Sequence, residues 1–346
     1  MRSLPLLLLF AALAPGASAA SFAVKVQATK FYKGNLHAHS NDRAGRGYAE
    51  GKGDGDAAPA QVLDWYAGHG YDFAAVTDHN ELTAVSGPGL TALDGIELTS
   101  YYGRKKLPVH VNAICVRGDA KGVRDAKSSS GAGVLRRTIE AARGADASLI
   151  VVNHPTYKRA LDNSDLSAAK GFNGIELASG HPIVEKYDAS APESAETLWA
   201  GLLAQGRDVW AVAADDAHDF SGKLQDGEDA VRPPGKAWVQ AWTDSADKEP
   251  LCAALAAGHF YASTGPELKS LTVQGNELSV AVAGFWDKAS DKIEFLALKA
   301  GGKERVASRV SRSSASYLSD GSESYVRARV TQAGKRAWTQ AYRVKP

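Results

Sequence analysis

The sequence predicts an α/β body followed by a smaller all-β part, and three observations carry that reading. Up to about residue 265, short apolar runs such as Phe73-Ala74-Ala75-Val76 alternate with segments whose apolar residues recur at helical spacing. That is the pattern of strands buried on both faces and helices packed over them. Beyond that point, runs of alternating polarity follow one another across glycine turns with no helical segment between them, as in a sandwich. Polar residues capable of chemistry fall where the apolar runs stop, and strand ends are where ligands gather in parallel sheets and barrels.

Taken in order, Arg2, the apolar residues 4–13 and Ala17-Ser18-Ala19 form a secretory signal covering residues 1–20. The apolar run is too short to cross a bilayer comfortably, so the mature chain is expected to be exported, periplasmic or secreted, with no transmembrane span. Residues 21–29 read as a lead-in strand, and residues 31–40 carry Gly34-Asn35-Leu36-His37-Ala38-His39-Ser40. Residues 41–56 are rich in glycine and charge, hence a loop. A helix is expected over 59–69, with Val62, Leu63, Trp65 and Tyr66 on its apolar face, then the strand 73–76 running into Thr77-Asp78-His79-Asn80. Strands follow at 93–98, with Glu97 near its end, and at 109–116, with His110 near its beginning. Next come a helix over 134–143 and a strand over 148–152 that runs into Asn153-His154-Pro155. A short strand over 174–177 ends near Ser179-Gly180-His181, and a helix over 193–205 precedes the strand 208–214, which delivers Asp215-Asp216-Ala217-His218. The β part is expected as strands at 268–273, 277–282, 292–298, 325–330 and 338–344, with the serine-rich residues 308–324 as a loose loop.

Composition excludes some partners. With 40 basic against 39 acidic residues and a formal charge of +1, no bulk field favours nucleic acid or an anionic membrane. The two cysteines, Cys115 and Cys252, could pair in an oxidising compartment, but their apolar neighbours favour two free, buried thiols. No cysteine cluster has structural-zinc spacing, so any metal must be held by nitrogen and oxygen ligands.

Histidines supply the nitrogen. Of nine, His37, His39, His79, His154 and His218 fall at expected strand ends beside Asp, Asn or Pro. In an extended segment His37 and His39 point to one face, as do Asp216 and His218. His110 can join the same rim only if its strand runs antiparallel to that of Glu97. A histidine–carboxylate rim suits zinc, manganese or iron, with enough ligands for two or three ions. His69 is expected at a helix C-terminus, His259 in packing, Asp78 orienting a ligand histidine, Asp215 as a capping carboxylate, and Trp65, Trp199 and Trp210 in the core.

His37-Ala38-His39, Thr77-Asp78-His79-Asn80, Gly95-Ile96-Glu97, His110, Asn153-His154-Pro155 and Asp216-Ala217-His218 resemble the successive motifs of the polymerase-and-histidinol-phosphatase (PHP) family. Residues 257–266 and the strand 70–76 resemble its exported, carbaryl-hydrolase-like branch. The resemblance implies a distorted (β/α)₇ barrel over residues 21–265, followed by a small sandwich-like β-domain over 266–346. It implies His37, His39, His79, Glu97, His110, His154, Asp216 and His218 as metal ligands. The family's further acidic ligand is matched best by Asp54, with Asp42 and Asp56 as rivals, because residues 43–52 depart from the shorter family pattern. Asp216 or His218 could relay a proton, and Arg43 and His181 could contact an anionic small-molecule substrate; Arg46 and Lys52 share the loop of Arg43. The expected function is a metal-dependent hydrolase of phosphate mono- or diesters. The same ligands would serve hydrolysis of a carbamate, ester or amide, and a non-catalytic, metal-retaining binding protein is the third reading.

Overall fold

The computed structural model describes residues 20–41, 54–121, 130–223 and 230–345. The signal-like segment, Asp42, Arg43, Arg46 and Lys52 lie outside the described residues.

Strands β1 (Ser21–Phe22), β2 (Val26–Ala28) and β3 (Tyr32–Asn35) come first. Helix α1 (Pro59–Gly68) starts with proline at its first position, where the missing N–H costs nothing, and buries Val62, Leu63 and Tyr66. Then come β4 (Phe73–Val76), β5 (Thr91–Tyr102) and β6 (Leu107–Ile114). Helix α2 (Gly131–Gly144) is capped by the Ser130 side chain and buries Val134, Leu135, Thr138, Ile139 and Ala142 along one stripe. After β7 (Leu149–Val152) come α3 (Asn163–Ala168), β8 (Gly174–Ser179), α4 (Pro182–Ser190), α5 (Ala195–Ala204) and β9 (Trp210–Ala214). Strand β10 (Trp238–Ala241), helix α6 (Lys248–Ala256) and β11 (Phe260–Ser263) complete this part. The rest is strand: β12 (Leu268–Gln274), β13 (Glu277–Val282), β14 (Lys292–Lys299), β15 (Arg305–Val310), β16 (Ser314–Leu318), β17 (Glu323–Gln332), β18 (Lys335–Trp338) and β19 (Tyr342–Lys345).

The architecture is not the expected (β/α)₇ barrel. Six α-helices stand against nineteen strands among the described residues, and 15 strands join one mixed sheet. Strands β3, β4 and β5 pair in parallel, as do β7, β8 and β9, but β5, β6 and β7 are antiparallel. The reason is local. Only residues 103–106 separate β5 from β6, with Gly103 and Lys106 at positive φ, and so short a link closes a hairpin where a parallel crossover needs a helix. On the other side β10 runs antiparallel to β3 and to β11.

The C-terminal strands do not stand apart from this sheet. Strand β18 pairs with β11, and β17 pairs with β18, β14 and β19, so the sheet continues into them. A separate four-stranded sheet, in the order β16-β13-β12-β2, packs Leu271, Val273, Leu278 and Val280 against Ile293, Phe295, Val326 and Ala328. Residues 308–324, expected as a loop, hold the end of β15 and all of β16; β16 is exposed on alternate residues, as an edge strand with one wet face should be.

Cys115 and Cys252 are joined in a disulfide, contrary to the expected free thiols. Helix α6, which the sequence reading missed, brings them together. Thr91 Oγ donates to Ala246 O at 2.6 Å, and Lys248 pairs with Asp94, which docks the helix beside β5 and sets Cys252 against the end of β6. No helix of the described residues is long and apolar enough to cross a membrane.

Candidate metal centre

The segment after β3 is threaded between two strand ends. Thr77 N donates to Ala38 O at 2.8 Å on one side, while His39 N donates to Ala217 O at 2.8 Å and Asp216 N to His37 O at 3.0 Å on the other. His37 and His39 therefore lie just beyond their strand, in extended backbone that keeps both imidazoles on one side. The Asn35 side chain fixes the turn, donating to His37 O and accepting from Asp215 N.

Glu97 is the hub. It sits in mid-strand, past the point where β5 leaves β4, and is 1% exposed. Its Oε1 lies 3.2 Å from His37 Nε2, 3.0 Å from His110 Nδ1 and 3.6 Å from His154 Nε2. Its Oε2 lies 3.5 Å from His39 Nε2 and 2.6 Å from His79 Nδ1. Because β5 and β6 are antiparallel, with Thr99 opposite His110, His110 reaches the same rim. Asp216 Oδ1 lies 3.2 Å from His37 Nε2, 3.4 Å from His39 Nε2 and 3.1 Å from His218 Nε2. Asp54 Oδ2 completes the ring, 3.0 Å from His79 Nε2 and 3.2 Å from His218 Nδ1.

The nine candidate ligands thus converge. Four overlapping trios (His37/His39/Glu97, His39/Asp54/His79, His39/Asp216/His218 and His79/Glu97/His110) each hold their ligand atoms within 4.8 Å of one another. His154, outside those trios, stands at the Glu97 and Asp216 side. Asp56 turns away: its carboxylate accepts from Phe220 N and Ser221 N at 2.7 and 3.0 Å.

Two observations fit this cluster to metal ions. His37 Nε2, both ring nitrogens of His39 and of His110, and Glu97 Oε2 are buried and make no well-directed hydrogen bond; what faces them is other ligand atoms of the cluster. Buried polar atoms left so are costly unless a ligand meets them. His154 and Asp216 also hold φ at 24° and 50°, left-handed backbone that non-glycine residues adopt at a cost and that concentrates at functional sites.

The electrostatics are those of a tightly balanced array. Burial, with His218 and His79 adding to it, pushes the His39 imidazole down to about 3. Burial opposes charge on His79 and His218 too, but Glu97 and Asp54 raise the first to about 10, and Asp54 and Asp216 raise the second to about 9. Against their own burial, the surrounding histidines hold Asp54, Glu97 and Asp216 well below the carboxylate range. Three ionised carboxylates among neutral-capable imidazoles make a donor set for divalent cations.

A supporting shell surrounds the ligands. Glu176 Oε1 lies 3.2 Å from His37 Nδ1, and its Oε2 accepts from His154 N at 2.8 Å. His79 Nδ1 also meets Thr99 Oγ1, at 2.5 Å, and Asn153 Nδ2 donates to Glu97 Oε1 at 2.9 Å. Arg232, 4% exposed, places Nη1 3.6 Å from Asp54 Oδ1 and Nε 3.4 Å from Asp219 Oδ2. Glu176, Thr99 and Arg232 were not anticipated: Glu176 lies inside a strand that reads as apolar, Thr99 just past the expected end of the strand 93–98, and Arg232 in a plain Val-Arg-Pro-Pro run.

Asp78 does not orient a histidine; it accepts from Ser40 N, Ser40 Oγ and Thr83 Oγ1, pinning the chain just after His39. Asp215 caps, taking bonds from Tyr66 OH and from Gly235, Lys236 and Ala237 N. His181 caps α4, its Nδ1 accepting from Ile183 N, so its ring proton is on Nε2; its ring centre is 5.7 Å from that of His218, and burial pushes it down to about 4. His69 stacks on Trp65 at the end of α1 and His259 on Trp242. Trp199 is fully buried, while Trp65 and Trp210 are half-buried.

Compared with protein-family models, with curated proteins and with solved structures, the chain finds no match.

Proposed function

We propose that the protein is an exported, metal-dependent hydrolase of phosphoesters. On this reading His37, His39, Asp54, His79, Glu97, His110, His154, Asp216 and His218 hold two or three divalent ions of zinc, manganese or iron. The observation that carries it is the set of buried ligand atoms on His37, His39, His110 and Glu97, which crowd one another across the rim without well-directed hydrogen bonds. The order of motifs resembling the PHP family supports the same reading, and the disulfide supports export, since such bonds persist in oxidising compartments.

Ions bound there supply Lewis acidity to a phosphoryl oxygen and acidify a water molecule. The chain's own residues supply the rest. Glu176 holds the His37 ring in one orientation, as an outer carboxylate does for a ligating imidazole. Arg232, beside Asp54, offers a guanidinium to negative charge developing on the transferred group. Asp216 and His218 approach to 3.1 Å, and whichever of the two is not bound to an ion is placed to hold or pass a proton towards the leaving oxygen. The His181 Nε2 proton is available to a substrate oxygen from the edge of the rim.

The test is an assay of the mature protein supplied with Mn²⁺ or Zn²⁺ on 4-nitrophenyl phosphate, bis(4-nitrophenyl) phosphate and 4-nitrophenyl acetate. Turnover of a phosphate substrate, lost in His37→Ala, is expected. Turnover of the acetate alone would transfer the site to carbonyl chemistry, and turnover of none would overturn the proposal.

A further inference from the structure

Beside the metal centre lies a cavity of about 640 Å³ whose wall begins at His154 and Glu176. That size falls in the range of small-molecule pockets. The far wall comes from the C-terminal strands: Lys335, Arg336 and Trp338 belong to β18. A third cation, Lys236, lines the cavity from the segment before β10.

The charges within it are unevenly spent. Among the described residues, none of the three cationic head groups makes an ion pair or side-chain hydrogen bond. Two of the lining carboxylates are engaged. Glu176 is held by His37 and by His154 N, and Asp188 accepts from Thr156 Oγ1 at 3.1 Å and Ala195 N at 2.7 Å. Glu185 is the remaining acid, on the exposed side of α4. Leu177, Val184 and Trp338 supply apolar surface to the lining, alongside the polar Thr156, Ser179 and Thr264.

We propose that this cavity is a second substrate subsite, in which Lys335 and Arg336, with Lys236, bind an anionic group carried on the leaving side of the substrate. The substrate class is then bis-anionic: a phosphoester at the metal centre, an apolar or aromatic spacer, and a distal carboxylate or phosphate. The C-terminal strands thereby contribute to the substrate site itself, and the pairing of β18 with β11 fixes their distance from the metal centre. The proposal rests on the metal centre being the place where the scissile group binds.

Calorimetric titration of the metal-loaded protein with non-hydrolysable probes tests it: phenylphosphonate, 4-phosphonobenzoate and its biphenyl-spaced analogue. Affinity for phenylphosphonate reads the metal centre, and the gain from the added carboxylate reads the subsite, so failure of either is seen separately. At least one carboxylate probe should bind about tenfold more tightly than its parent, in line with two exposed ion pairs at the upper end of their usual strength. Lys335→Ala/Arg336→Ala should erase that gain, Lys335→Arg/Arg336→Lys should keep it, and Lys335→Glu/Arg336→Glu should reverse it. Equal affinity of the wild-type protein for all probes, or a gain that survives the double alanine variant, would overturn the proposal whether or not phenyl phosphate is turned over.

Discussion

Glu176 shows what a single outer side chain does for the cluster. One of its oxygens faces His37 Nδ1 and the other takes His154 N, so it fixes a ring and a backbone turn together. Glu176→Gln is expected to lower metal affinity about 10- to 100-fold, the usual cost of losing such a partner. Competition against a coloured chelator measures this, and an unchanged affinity would remove Glu176 from the account. At this scale much was readable in the sequence, because His37, His39, His79, His154 and Asp216/His218 punctuate apolar strands and have no other reason to do so. Glu176 was not, since Gly-Ile-Glu-Leu reads as an ordinary buried strand until the fold turns it towards His37. Asp54 and Asp56 differ only in geometry: both lie in one glycine-rich turn, and only the folded chain aims the first at His79 and His218 and the second at Ser221.

Elements formed from local pattern were legible, and those fixed by distant partners were not. Strand β4 lies where its apolar run lies, because four consecutive buried side chains fit little else. Helix α6 escaped because it is short and carries Pro250 in its first turn, yet it closes the disulfide across 137 residues of sequence. Reduction, or Cys115→Ser/Cys252→Ser, should lower unfolding free energy by about 2–5 kcal/mol by freeing so long a loop in the unfolded chain. Urea unfolding with and without reductant checks this, and coincident curves would contradict it. Strands β14 and β17 are joined to α5 by a second device, in which Arg327 meets Glu196 at 2.8 Å and Glu304 at 2.7 Å, while Arg329 meets Glu196 at 3.0 Å and Glu294 at 2.8 Å. Burial would raise the Glu196 carboxyl, but Arg327 and Arg329 outweigh it and hold it below its ordinary 4.5; Arg329 and Arg309 do the same for Glu294. Their folded values being lower than the unfolded ones, the stability they lend is present above pH 4.5 and lost as pH falls through the folded values. The urea midpoint should therefore drop below that pH, and drop less in Glu196→Gln; an equal drop in the variant would contradict the assignment.

For the whole molecule, the broad division into a mixed α/β part and a strand-only C-terminal part follows from composition along the chain. The closed barrel does not, because the sense of a strand pair is set by its link, and four residues between β5 and β6 permit only a hairpin. That antiparallel pair is also what brings His110 opposite Thr99 and next to Glu97. The departure from a regular barrel and the assembly of the cluster are thus one event. The proposed chemistry requires that cluster to be a metal centre. Its most direct test is the metal content of the purified mature chain by elemental analysis, alongside His37→Ala. About two or three equivalents of a divalent transition metal per chain, falling in the variant, is the predicted result. Metal at the level of the buffer blank, after incubation with Zn²⁺, Mn²⁺ or Fe²⁺ and removal of excess, would contradict it.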